Sequence, residues 1–166
     1  EGDSDSTDLS VSSYSGTIAA DNDDSAAGAA SGDLGTVLID GDYPDILTVA
    51  AADATYKIGD DISITLTFDE AVDVSGTPQI TLSNGVVVDY ASGTGNANLV
   101  FTYTVVSGNT DSSDLEVSSI SANGGSIQDD ADNDFETTIP DGDLGTVVVD
   151  ANVPAFSSVA ATDGDY

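Results

Sequence analysis

A stretch of 24 residues occurs twice in this chain, which limits the fold before any local pattern is read. DLGTVLIDGDYPDILTVAAADATY, residues 33–56, returns 110 positions later as DLGTVVVDANVPAFSSVAATDGDY, residues 143–166, with half of the positions identical. The matched pairs include Asp40 with Asp150, Pro44 with Pro154 and Tyr56 with Tyr166. Further upstream, DLSVSS at 8–13 matches DLEVSS at 114–119. Self-similarity at a fixed period marks a tandem architecture in which each unit is one packed module. The spacing divides the chain into the C-terminal part of one unit (1–39), a complete unit (40–150) and the first strand of the next (151–166). The chain therefore reads as a window on a longer array, its ends falling inside units.

Each unit reads as short strands. Ile62, Ile64, Leu66 and Phe68 alternate with Ser63, Thr65 and Thr67, the two-residue period of a half-buried strand. Leu99, Phe101, Tyr103 and Val105 repeat that pattern with Val100, Thr102 and Thr104 between them. QITLS and VVVDY flank Ser83-Asn84-Gly85, a hairpin signal because Asn-Gly tolerates positive φ. Ile46–Ala51, Val117–Ile120, Ser126–Gln128 and Thr146–Val149 supply the remaining strands. No stretch carries a helical period. About seven strands in roughly 100 residues, separated by Gly, Asn, Asp and Ser turns, predict an all-β, immunoglobulin-like sandwich, with a barrel as the alternative.

Charge then narrows the function. The chain holds 31 Asp and Glu against a single basic residue, Lys57, for a net charge of -30. Nucleic acid and anionic membrane surfaces are bound through clustered Lys and Arg, so both are excluded as partners. No apolar run approaches the length of a membrane span, so membrane insertion is not expected. There is no His or Cys, which removes disulfide scaffolds, zinc sites on those ligands and the usual nucleophile and base pairs. What is left is oxygen chemistry. Of the acids, 27 are Asp and only 4 are Glu. Asp in Gly- and Asn-rich turns supplies short-armed oxygen ligands of the kind calcium takes, and it also serves as an ordinary turn residue on a salt-adapted surface.

Three motifs carry a resemblance. Tyr56-Lys57-Ile58-Gly59-Asp60 followed by ISITLTFDEAV (62–72), the loop GGSIQDDADND (124–134) and the linker VVVDANVP (147–154) resemble bacterial Ig-like, cadherin-like tandem repeats. Such repeats occur in large secreted surface proteins, including RTX-type adhesins. The resemblance implies an Ig-like fold and an extracellular, cell-surface location. It departs at Asp132, where those repeats carry Gly, which implies an extra carboxylate and a different turn.

In an Ig-like sandwich the incoming linker, the loop after the second strand and the loop before the last strand share one end. That places Asp40 and Asp42, Asp69 and Glu70, and Asp129, Asp130 and Asp132 at one pole. Carboxylates at that density need a counter-ion, and Ca2+, which takes 6–8 oxygens, is the expected one. Asp40 is expected to anchor the ion, Glu70 to bind through its longer arm, and Asp129 or Asp130 with Asp132 to close the cage. Weaker candidates are Asp134, then Asp150 and Asn152 at the repeated linker, and Asp21 and Asp23 in the truncated upstream unit. The expected function is structural: a calcium-stiffened extender whose partners are neighbouring repeats or identical chains, with any glycan or surface ligand bound elsewhere in the parent protein. The alternative is a filament or sheath subunit assembled by β-strand exchange. Catalysis is not expected. Chance pairs of carboxylates could serve glycoside hydrolysis, but the chain has no Trp and ten aromatics in all, poor material for a sugar cleft.

Overall fold

Alternation of apolar and polar side chains sets the strands of the computed structural model, which describes residues 40–158. The chain divides into two compact units, residues 1–43 and 44–166. Of the first, Asp40–Tyr43 are described; they are irregular, and the Asp42 backbone N–H donates to Asp40 Oδ1 at 3.3 Å. Asp21 and Asp23 lie outside the described residues.

The second unit runs β1 (Ile46–Ala50), β2 (Ala54–Lys57), β3 (Asp61–Ser75), β4 (Gln79–Leu82), β5 (Val87–Ser92), β6 (Asn96–Thr104), β7 (Val117–Ser121), β8 (Ser126–Gln128) and β9 (Val147–Asp150). No helix occurs among the described residues; the fold is all-β. The main strand order is β1-β3-β6-β5-β4-β7, antiparallel throughout, with β8 against the far end of β3. The placing of β3 beside β6 across the β4–β5 excursion is a Greek-key connection. β5 is shared: it meets β6 at Tyr90 and Ser92 and β4 at Val87–Asp89, so the strand path folds over on itself in the manner of a β-sandwich.

Ile62, Ile64 and Leu66 of β3 pair side by side with Tyr103, Phe101 and Leu99 of β6; with Phe68 and Val105 they line one core that also holds Ile80, Leu82, Ile120 and Ile127. Each such side chain contributes roughly 1.5–3 kcal/mol on full burial. With no Met, Trp or Cys, the core rests on this β-branched and aliphatic set and a few aromatics.

Two features depart from the sequence pattern. The expected strand at 62–68 continues to Ser75, because β3 does not end at Asp69-Glu70; it bulges there. Thr67 pairs with Asn98, but the next rung joins Val72 to Asn96, so four residues of β3 stand outside the ladder. A bulge and a loop both break the two-residue period, and the sequence does not separate them. The second departure is β2, which lies parallel to β9 with Ala54 opposite Val147 and Lys57 opposite Asp150. The Asp53 carboxylate accepts the Thr146 N–H at 2.7 Å and fixes the start of that pairing. The Asn84-Gly85 hairpin forms with Gly85 alone at positive φ (84°). The Gly85 N–H donates to the Leu82 carbonyl and the Leu82 N–H to Val86, a type I turn closed by a left-handed glycine.

Candidate metal site

The β8–β9 connection begins with a buried acid. Ile127 faces the core, Gln128 is half-exposed, and the alternation carries Asp129 inward to 2 % exposure, the one buried charged side chain among the described residues. Its carboxylate is held from three directions. Oδ1 accepts the Ala131 and Asn133 backbone N–H groups, both at 2.8 Å, and Oδ2 accepts Asn133 Nδ2 at 2.8 Å. The backbone N–H of Asp132 returns to the Asp129 carbonyl at 3.2 Å. A carboxylate has about four acceptor positions, so three donors leave one for another partner. Asp132 takes φ 66°, the left-handed region that glycine populates most freely.

Glu70 arises from the bulge in β3. Phe68 points into the core, Asp69 is exposed and Glu70 is half-buried. Asp69 clasps the start of β1: its N–H donates to the Asp45 carbonyl at 3.0 Å and its Oδ1 accepts the Asp45 N–H at 2.8 Å. The bulge and the β8–β9 loop are pinned together beneath the surface, where Phe68 and Phe135 meet edge to face with centroids 5.2 Å apart. Such a pair is worth about 0.5–1.5 kcal/mol beyond its buried area. It sets Glu70, two residues after one ring, near Asp129, six residues before the other.

One carboxylate oxygen from each of Asp40, Glu70 and Asp129 lies within 4.8 Å of the other two. This is the one such group of acids among the described residues. At that separation each ionised pair costs roughly 3 kcal/mol or more at the effective dielectric of a half-buried site. Lys57, the only basic residue in the chain, is ion-paired elsewhere, with Asp60 at 3.0 Å. The Lys57 backbone N–H, and then its ammonium, hold the Asp60 carboxyl below the usual carboxylate range. An all-oxygen, all-anionic donor set suits a hard divalent cation, and the triad could hold one.

The other candidate residues stand outside this group. Asp42, Asp69, Asp130, Asp132 and Asp134 are exposed. Asp42 contributes its backbone N–H to Asp40, and Asp69 spends its carboxylate on Asp45. Asp130 and Asp132 lie in the turn that follows Asp129. At the repeated linker the Asn152 N–H donates to Asp150 Oδ1 at 3.2 Å, the same two-residue turn that Asp42 makes with Asp40. Asp111 binds this linker, accepting the Ala151 N–H at 2.8 Å on Oδ1 and Asn152 Nδ2 on Oδ2.

No family model, curated protein or solved structure matches the chain.

Two contributors escaped the sequence reading. Asn133, read only as part of an acidic turn, supplies two of the three donors to Asp129; its position four residues on was the available signal. Asp111 comes from a distant loop, and nothing local marks it.

Proposed function

We propose that this chain is a calcium-stiffened Ig-like repeat of a long extracellular surface protein, acting as a rod-like extender. The observation that carries the reading is the convergence of Asp40, Glu70 and Asp129 from three segments far apart in sequence. Asp40 stands four residues before Pro44, which is buried and has its φ fixed by its ring. A cation shared by Asp40, Glu70 and Asp129 ties the linker to the bulge of β3 and to the β8–β9 loop, removing hinge freedom at that point. Without it, the carboxylates repel and the linker loosens. Calcium fits better than magnesium, which keeps its waters and takes few carboxylates.

The test uses the whole chain with calcium and with EDTA, followed by thermal unfolding and small-angle scattering. Calcium should raise the melting temperature of the unit and reduce the spread of intramolecular distances. An unchanged melting curve and an unchanged scattering profile together would refute the reading.

A second reading, strand exchange in a filament or sheath, draws on Phe156. Its repeat counterpart Ile46 is 4 % exposed in the core, whereas Phe156 is 81 % exposed. Residues 151–158 are irregular; to pair as the first strand of a next repeat, this segment would take a sheet from elsewhere in the polypeptide or from another copy. Concentration-dependent oligomers in sedimentation that disappear on Phe156→Ser would favour exchange; a monomer throughout would favour the extender.

A further inference from the structure

Two asparagines in this chain precede a glycine, Asn84 and Asn123, and the fold treats them differently. Asn84 is half-buried beneath its hairpin. Its Nδ2 donates to Tyr103 Oη and to the Thr110 carbonyl, both at 3.3 Å, and its Oδ1 accepts the Val86 N–H at 3.2 Å. The Gly85 nitrogen is also engaged, donating to the Leu82 carbonyl at 2.9 Å. Asn123 is exposed in the turn between β7 and β8. Its carboxamide makes one hydrogen bond, from Nδ2 to the Thr77 carbonyl at 3.1 Å. The turn is closed by the Gly125 N–H donating to Ala122 at 2.8 Å, with Asn123 and Gly124 both left-handed at φ 49° and 79°. That geometry leaves the Gly124 N–H at the turn's tip without an intramolecular hydrogen bond.

We infer that Asn123 is a site of spontaneous deamidation and Asn84 is protected from it. In an Asn-Gly sequence the glycine nitrogen can attack the asparagine Cγ, since no side chain hinders it. The new bond joins Gly124 N to Asn123 Cγ. The Cγ–Nδ2 bond breaks, and ammonia leaves while the Gly124 nitrogen gives up its proton to solvent base. Water then opens the succinimide ring at either carbonyl. Opening at Cγ leaves aspartate, and opening at the backbone carbonyl leaves isoaspartate with one extra methylene in the main chain. The net change is one amide and one water to one carboxylic acid and ammonia. The attack needs the turn to open, and opening is governed by the local hydrogen bonds that must break. Asn123 gives up one carboxamide bond; Asn84 gives up three, and its attacking nitrogen is held as well.

The site has consequences beyond one added charge. The Nδ2 donor to Thr77 is lost, and a carboxylate then faces that carbonyl. The two backbones here are already in contact: a Cβ on Gly125 would fall 2.0 Å from the Ser75 carbonyl oxygen. An extra main-chain methylene at residue 123 has to be taken up within a turn whose closing residue, Gly125, already abuts the Ser75 backbone, so β8 should loosen from β3 at its Ser75–Ser126 end. β8 leads straight into Asp129.

The experiment incubates the whole chain in mildly alkaline buffer made with 18O-water and maps the products by chymotryptic peptides, because a single Lys makes trypsin uninformative. Asn123 should convert to a mixture of aspartate and isoaspartate on the order of tenfold faster than Asn84. In denaturant the two rates should converge. Equal rates in the folded chain, conversion of Asn84 first, no conversion at Asn123, or a ratio that persists in denaturant would each overturn the assignment. Asn123→Gln should abolish the fast label. Hydrogen exchange of the Ser126–Gln128 amides should quicken in the deamidated chain, and protection equal to the starting material would refute the coupling to β8.

Discussion

Replacing Asp129 by Asn separates the two roles this residue holds, as a staple of its own loop and as a member of the acidic triad. The amide keeps one oxygen for the Ala131 and Asn133 backbone N–H groups, now without charge. It also sets an NH2 opposite Asn133 Nδ2, so that one bond is lost unless the Asn133 amide turns over. A hydrogen bond to a charged group is worth about 1.5–3 kcal/mol against about 1 for a neutral one. Over three bonds at 2.8 Å the loss comes to roughly 2–3 kcal/mol. The opposing effect is relief from burying a carboxylate at 2 % exposure, which in other settings makes a neutral substitute favourable. Here the donors sit on the backbone of a short turn and stay buried whatever fills position 129, so the loss of bonding outweighs the relief. For a unit of this size roughly 4 °C accompanies each kcal/mol, and the melting temperature in EDTA should fall by about 10 °C. Circular dichroism at 218 nm or so would follow it. A metal-free melting temperature equal to or above that of the parent would refute the staple.

Glu70→Gln gives the complementary result. It should cost less than Asp129→Asn in EDTA yet abolish most of the calcium-dependent rise, which for a ligand at a hundred times its dissociation constant is about 2.7 kcal/mol; a full calcium response in this variant would remove Glu70 from the site. Phe135→Ala takes away the edge-to-face partner of Phe68 and leaves a cavity, costing roughly 3–5 kcal/mol. Because both acid-bearing segments lean on that pair, calcium affinity measured by calorimetry should weaken as well, and unchanged affinity in a folded variant would break the link. Burial raises Tyr103 above the usual phenol value, with the Asn84 amide pulling the other way. A raised folded value adds stability that is fully present below the ordinary pKa near 10 and is lost as pH rises through the folded value. Tyr103→Phe should therefore flatten the alkaline fall in melting temperature, and an unaltered fall would show that other groups cause it.

The strands were legible wherever one face is buried. Ile62 to Phe68 and Leu99 to Val105 alternate without interruption, and both lie in the centre of the sheet. β2 was not legible, since Ala54–Lys57 buries little and is defined only by its partner β9, more than 90 residues on. Three acids of the pole were named from linker and loop spacing, but the choice between Asp129 and Asp130 was left open. The inward step from Ile127 decides it, and that step becomes visible only once β8 is known to run to Gln128. The bulge that lifts Glu70 out of the ladder has the same local signature as a loop. It depends on the register between β3 and β6, which no single segment encodes.

The parallel pairing of β2 with β9 bears on how the unit responds to tension. A pull on the residues after Asp150, directed along β9, acts across its four rungs with Ala54–Lys57. The load is then shared as shear and the rungs must rupture together, whereas an antiparallel hairpin peeled from its open end would lose them one by one. Lys57, opposite Asp150 at the last rung and tethered to Asp60 by its ammonium, sits where that load arrives first. The chain's only basic residue thus lies at the point where extension of the unit would begin to fail.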